Sequence, residues 1–269
     1  RTDLHLSALT GVPAMILDVD GVAFTYRSAP VIQEITFGLR PHQILAILGP
    51  NGVGKTTLLK CMNAILRPKA GSIIVEDLDL LTADRMEIAR RMGYVPQRSE
   101  AGRMTAFDAI LLGRLPHIQW NVSEADLRTV EAAIRMLHLE DLSLRYIDEM
   151  SGGELQKVSI ARALVQEPRV LLLDEPTSSL DLRNQIDILE IVRSVVAAHD
   201  VAAVMTMHDL NMALRYADRF ILLKDGVIHA AGGPDVVTPE TIEAVYGVPV
   251  TVERFNGYRF VVPLEPERA

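Results

Sequence analysis

The sequence predicts an α/β fold with a parallel sheet at its centre, a strand-rich edge and an inserted helical arm. Three observations carry this reading. The runs Ile44-Leu45-Ala46-Ile47-Leu48, Val170-Leu171-Leu172-Leu173 and Val201-Ala202-Ala203-Val204-Met205 are uninterrupted and apolar, as strands covered on both faces must be. Helical periodicity separates them: Leu58, Leu59, Met62, Ile65 and Leu66 after the first run, and Ile186, Leu189, Val192 and Val196 in a connection of about four turns between the other two. Finally, Gly49-Pro50-Asn51-Gly52-Val53-Gly54-Lys55-Thr56-Thr57 fits G-x-x-x-x-G-K-[ST] and lies between the first strand and its helix, the context that a phosphate-binding loop requires.

Taken in order, the chain opens with short alternating segments from Val12 to about Ile44. Met15-Ile16-Leu17-Asp18-Val19 and Ile35-Thr36-Phe37-Gly38-Leu39 are two of them, and Gly71 to Val75 reads as a further strand, so an antiparallel edge is expected. In the phosphate loop, glycines at 49, 52 and 54 let the backbone curl so that successive N–H groups face a polyphosphate. The positive end of the following helix faces the same anion. Lys55 is placed to reach the β and γ phosphates and the Thr56 hydroxyl to bind Mg²⁺, which makes ATP-type nucleotide and Mg²⁺ the expected ligands.

From about Met104 to Val165 the period becomes helical. Ser123 and Asp126 have the spacing of a capping box, followed by Leu127, Val130, Ile134 and Leu137 on one face. Beyond the last central strand, Asp225-Gly226 between apolar runs predicts a hairpin from Phe220 to Ala231.

Composition narrows the function classes. With 269 residues and 49% hydrophobic content the chain can build a full core. A net charge of -8 and a pI near 5.4 argue against nucleic acid as a partner, since backbone binding needs clustered Lys and Arg. No apolar stretch approaches the roughly 20 residues that span a bilayer, and Arg1, Asp3 and His5 begin no signal-peptide core, so a cytoplasmic location is expected. Cys61, the single cysteine, falls in the apolar pattern after the loop and reads as a small buried thiol.

In an open α/β sheet, ligands gather at the carboxyl ends of the strands. Leu48 leads to the phosphate loop, Tyr94-Val95-Pro96 leads to Gln97, Leu173 delivers Asp174 and Glu175, and the strand near Val201 delivers His208. Asp174 is suited to hold Mg²⁺ with Thr56. Glu175 can orient or deprotonate an attacking water, and His208 can touch the γ-phosphate.

These residues resemble the ATP-binding cassette (ABC) family over nearly the whole chain. The decisive piece is Met150-Ser151-Gly152-Gly153-Glu154, similar to that family's Leu-Ser-Gly-Gly-Gln signature. Ser151, Gly152 and Gly153 expose amides at a helix start, a second anion site. One chain cannot easily bring both anion sites onto one γ-phosphate. The resemblance implies a head-to-tail dimer in which the signature of one copy closes on ATP held by the other. It also implies that Tyr26 stacks on adenine, that Gln97 senses Mg²⁺ and the membrane partner, and that Ser178-Ser179-Leu180-Asp181 crosses the dimer. Met150 in place of Leu is close to neutral, whereas Glu154 in place of Gln adds a negative charge near an anion site.

The fold expected from the resemblance is a P-loop NTPase core of ABC type over residues 13–248, with an antiparallel β subdomain and a helical subdomain at about 100–165, then a C-terminal extension at 249–269. A finer likeness, in Leu112-Gly113-Arg114-Leu115-Pro116-His117 and Val245-Tyr246-Gly247-Val248, is to ATPases of importers for iron-siderophore complexes, haem and cobalamin; the alternatives are a helix end closed by Gly and Pro, and a surface turn. The function so implied is an ATPase on the cytoplasmic face of the membrane, partnered by a second copy and by integral permease subunits, and indirectly by a substrate-binding protein. The rival is a cassette ATPase of a soluble assembly, serving cofactor assembly or nucleic-acid maintenance.

Overall fold

A computed structural model describes residues 14–27, 29–97 and 102–264. The expectations placed on Arg1, Asp3, His5, Val12 and the boundary at 13 lie outside the described residues, as do 100 and 101 at the start of the helical arm and 265–269 of the C-terminal extension.

Strands β1 (Leu17–Tyr26) and β2 (Ala29–Leu39) pair antiparallel, and β3 (Ile44–Leu48) leads into α1 (Lys55–Met62). Next come β4 (Ala70–Val75), β5 (Leu78–Asp79), α2 (Arg85–Arg91) and β6 (Met92–Val95). The arm holds α3 (Ala106–Leu111), α4 (Glu124–Met136) and α5 (Gly152–Leu164). The chain then returns through β7 (Val170–Asp174), α6 (Leu182–Ala198), β8 (Ala202–Thr206), α7 (Leu210–Tyr216), β9 (Arg219–Lys224) and β10 (Val227–Gly232). It ends with α8 (Pro239–Tyr246), β11 (Val250–Phe255) and β12 (Tyr258–Pro263). Among the described residues, no helix is long and apolar enough to cross a membrane.

The central sheet has the order β10-β9-β3-β8-β7-β6, parallel from β9 to β6 with β10 as an antiparallel edge. Its alternation builds two cores. Leu45 and Ile47 enter one with Leu58, Leu59 and Met62 of α1 and with the antiparallel sheet β2-β1-β4-β5, while Ile44, Ala46 and Leu48 enter the other with α5 and α6. Burial of each Leu, Ile or Met here stabilises the fold by about 1.5–3 kcal/mol, in keeping with β3, β7 and β8, which carry no polar residue before their last position. Cys61 is fully buried, and burial pushes its thiol up to about 12.

Two helical faces differ from the periodicity. In α6 the inward residues are Ile188, Leu189, Val192, Val195 and Val196, and Ile186 is only half-buried. At about 100° per residue Ile186 lies about 120° from Val192, on the margin of the stripe. In α4 the capping box forms as expected, and Val130 and Ile134, with Leu137 just past the helix, point inward. Leu127 shares their direction but is 36% exposed, because the first turn of α4 is covered only at Asp126.

The run from Leu112 to His117 closes α3 onto its neighbours. Gly113 lies so near the Arg162 carbonyl that a Cβ would sit 2.1 Å from it. Arg114, 7% exposed, donates to Asp126 at 2.9 Å, to the Val165 carbonyl at 2.6 Å and to Glu167 at 2.7 Å. The Ser123 hydroxyl and amide, and after them Arg114, hold the Asp126 carboxyl down to about 2. A depressed carboxyl stabilises the fold fully above its unfolded pKa near 4 and loses that contribution as pH falls toward 2. Wild type is therefore expected to lose more Tm between pH 5 and pH 2 than Asp126→Asn, in thermal melts of both; parallel curves would refute the assignment.

The C-terminal extension holds a strand pair that the composition of 249–269 alone did not suggest. Its signal is Asn256-Gly257, both at positive φ (48° and 84°) between β11 and β12, the residue pair that a tight hairpin turn favours. Asn211 of α7 docks the hairpin, accepting from the Val261 amide at 2.8 Å. The predicted hairpin at Asp225-Gly226 joins β9 to β10.

Candidate active site

Leaving β3, the backbone turns through Gly49, Gly52 and Gly54 at φ 147°, 80° and 109°. Pro50, Asn51 and Gly52 form an exposed rim, Val53, Gly54, Lys55 and Thr57 are buried, and Thr56 is half-buried. A Cβ on Gly54 would lie 2.8 Å from Ile32 and 3.0 Å from the Val31 carbonyl, so a side chain there would force the loop off β2. No side chain caps α1, which leaves its N-terminal end turned to an anion.

Lys55 is 5% exposed, and its Nζ donates to the carbonyls of Gly49 at 2.8 Å and Pro50 at 3.0 Å. Burial draws its pKa down, while the charges of Glu175 and Asp174 push it back up. A buried ammonium held by two loop carbonyls fits an anion as its further partner.

The neighbouring strand ends β3, β8, β7 and β6 bring the other polar groups to the same edge. Asp174, 2% exposed, accepts from the Thr56 hydroxyl at 2.9 Å and the Thr206 hydroxyl at 2.8 Å. Thr206 in turn accepts from the Glu175 amide at 2.8 Å. One Glu175 oxygen accepts from Gln97 Nε2 and the other meets His208 Nε2. Glu175 sits at φ 49°, a left-handed conformation rare for a residue with a Cβ. The Tyr94 hydroxyl also faces Asp174, and burial first, then that carboxylate, raises it to about 12.

Thr206 and Tyr94 have no role in the sequence reading. Thr206 had a signal, as the one hydroxyl closing the apolar strand β8, and its register opposite Asp174 places it. Tyr94 had none beyond its strand.

The donor set of Thr56 and Asp174 consists of hard oxygens and fits Mg²⁺. Among the described residues no three His, Cys, Asp or Glu side chains converge on a metal position. Mg²⁺ needs no such set, because it keeps waters and phosphate oxygens as ligands.

The signature segment makes its hydrogen bonds within the start of its own helix. Ser151 caps α5, its amide and hydroxyl each donating to Glu154 at 2.8 Å. These bonds, the backbone one first, hold Glu154 below the usual carboxylate range. The charge expected to bear on an incoming anion is thus turned onto its own helix terminus, and the S-x-x-E spacing of a capping box was its signal. Gly153 packs on Asn184, where a Cβ would sit 2.8 Å away, and Gly152 lies near Leu180. Tyr26 is 47% exposed at the end of β1, edge-on to Phe24 at 4.8 Å. One chain therefore gathers Lys55, Thr56, Gln97, Asp174, Glu175 and His208, and leaves Tyr26 and 151–154 outside that group.

A family profile described as ABC transporter matches residues 32–178. An uncharacterised ABC transporter ATP-binding protein of Methanocaldococcus jannaschii is 53% identical over 93% of this chain and 98% of its own length. A hemin import ATP-binding protein of Pseudomonas entomophila is 40% identical over 88% of this chain and 95% of its own; other relatives are named for cobalamin and siderophore transport. A solved structure described as a metal-chelate type ABC transporter in an inward-facing conformation superposes with a TM-score of 0.82, at 31% identity over 94% of this chain and 98% of that one.

Proposed function

We propose, from the premise that this chain belongs to the ABC transporter family and is an ATPase domain of that type, that it is the nucleotide-binding subunit of an importer for a metal chelate: iron-siderophore, haem or cobalamin. Two copies pair head to tail on the cytoplasmic face of the membrane, bound to integral permease subunits, and a substrate-binding protein delivers the cargo from the far side. The observation that carries this reading is the division of the site. The loop 49–57 and the carboxylates of Asp174 and Glu175 meet at one sheet edge, while Ser151 of the lid motif bonds within the start of its own helix, so the motif would be presented to the triphosphate by a second copy.

Lys55, the loop amides and the N-terminal end of α1 hold the phosphates, and Thr56, Asp174 and Gln97 hold Mg²⁺. The metal, when bound, neutralises charge on the phosphate oxygens. Glu175 accepts the proton of the attacking water once one of its oxygens leaves Gln97 or His208. Thr206 keeps Asp174 and Glu175 in register by joining the carboxylate of one to the amide of the other.

A groove of about 630 Å³ runs between the central sheet and the helical arm, lined by Ile65, Ile88, Tyr94, Pro96, Leu155 and Arg162 among others. Its floor reaches Tyr94, beside Asp174, so a permease segment seated there adjoins the metal site. Ile65 is 54% exposed on this groove. The tagged chain, solubilised from membranes of its own host, is expected to co-purify with a polytopic membrane protein. Ile65→Asp should lose that partner while its ATP hydrolysis in isolation stays within about twofold, as for a surface change outside the site. Recovery of only soluble or nucleic-acid partners would overturn the importer reading in favour of a soluble assembly.

A further inference from the structure

The Val245-Tyr246-Gly247-Val248 run is a surface turn only in its second half, where Gly247 and Val248 are exposed. Val245 is buried, and Tyr246 closes α8 packed against the core. The helix is pinned at both ends: Thr238 and Thr241 box its start, and Gly247 at φ 71° ends it by donating to the Glu243 carbonyl at 2.8 Å. From there the Tyr246 hydroxyl oxygen accepts a 2.8 Å hydrogen bond from the Gly49 amide, 197 residues away. Gly49 is also pressed against β9, where a Cβ would lie 2.6 Å from the Leu223 carbonyl. Both peptide groups flanking the Gly49 Cα are thus held: the N–H by Tyr246, and the carbonyl by the Lys55 ammonium at 2.8 Å.

We propose that Tyr246 is a positioning residue for the phosphate loop: by fixing the Gly49 peptide it sets the carbonyl that holds Lys55, so the C-terminal segment tunes nucleotide affinity. This rests on the reading of residues 49–57 as the triphosphate cradle. The hydroxyl is suited to the task because burial pushes it up to about 12, so it stays a neutral acceptor at any working pH. It also lies outside the span of the family profile, 32–178, in a region that the loop motif gives no reason to inspect.

Tyr246→Phe removes one oxygen and leaves the ring in its packing. The expected result is a rise in KM for MgATP, and in the Kd of a fluorescent adenine nucleotide, of about five- to tenfold, the factor that one lost hydrogen bond corresponds to, with kcat lowered by less than about twofold. Ile242→Ala, a buried change in the same helix away from the loop, supplies the comparison: it should lower Tm and leave KM in place. An unchanged KM in Tyr246→Phe would overturn the proposal, and so would an equal rise in Ile242→Ala, which would mean that loosening α8 is enough. Wild type that binds no nucleotide would overturn the cradle reading, and this inference with it; wild type that binds while Tyr246→Phe binds equally well overturns this inference alone.

Discussion

Glu175→Gln is expected to bind MgATP as wild type does and to hydrolyse it at least about a hundredfold more slowly, the scale of a lost general base. The amide has the size of the carboxylate and can still accept a hydrogen bond from Gln97 or His208, so the sheet edge keeps its shape. What it cannot do is take the proton of the attacking water. On the head-to-tail reading, ATP is bound but not consumed, and the pair stays closed. Phosphate release would report the first effect, and elution at twice the chain mass with MgATP but not MgADP the second. Turnover near that of wild type would remove Glu175 from the base's role and leave His208, which meets it on that edge, as the candidate base.

Lys55→Ala should act on binding instead. Charge-assisted hydrogen bonds to phosphate contribute about 1.5–3 kcal/mol, so nucleotide affinity should fall by roughly ten- to a hundredfold or more. The free protein should not suffer in proportion, because burial already disfavours the charged ammonium and Pro50, whose carbonyl is one of its two partners, lies on the exposed rim of the loop. Thermal shift separates the two. At a nucleotide concentration of about 100 times the wild-type Kd, ligand stabilisation of about 2.7 kcal/mol should shrink to about 0.4 kcal/mol for a hundredfold weaker site, while Tm without nucleotide stays near that of wild type. A full shift in Lys55→Ala would displace the phosphate-loop assignment.

Both predictions depend on residues that sequence patterns could find, because each lies at the end of an apolar strand within a few positions of its cue. The two partners that orient Asp174 show where that method stops. Thr56 is one residue from Lys55 in a spaced motif and was readable. Thr206 lies 32 residues beyond Asp174, and only the parallel register of β7 and β8 makes the two face each other. Glu154 marks an intermediate case. Its S-x-x-E spacing is a local capping signal, but the family likeness drew attention to its charge, and the structure shows that charge engaged at the start of α5.

What the sequence determined alone was whatever a few neighbouring residues can specify: the apolar strands, the glycine loop between β3 and α1, the Ser123–Asp126 box and the Asp225-Gly226 turn. Backbone conformation and burial pattern respond to contacts within a turn or two of helix or hairpin, so these are written locally. The tertiary structure decided which distant groups meet. Arg114 reaches Val165 and Glu167, Thr206 joins Asp174 to Glu175, and Tyr246 holds Gly49, because strand order and helix packing bring together hydroxyls, amides and charges that no spacing along the chain connects.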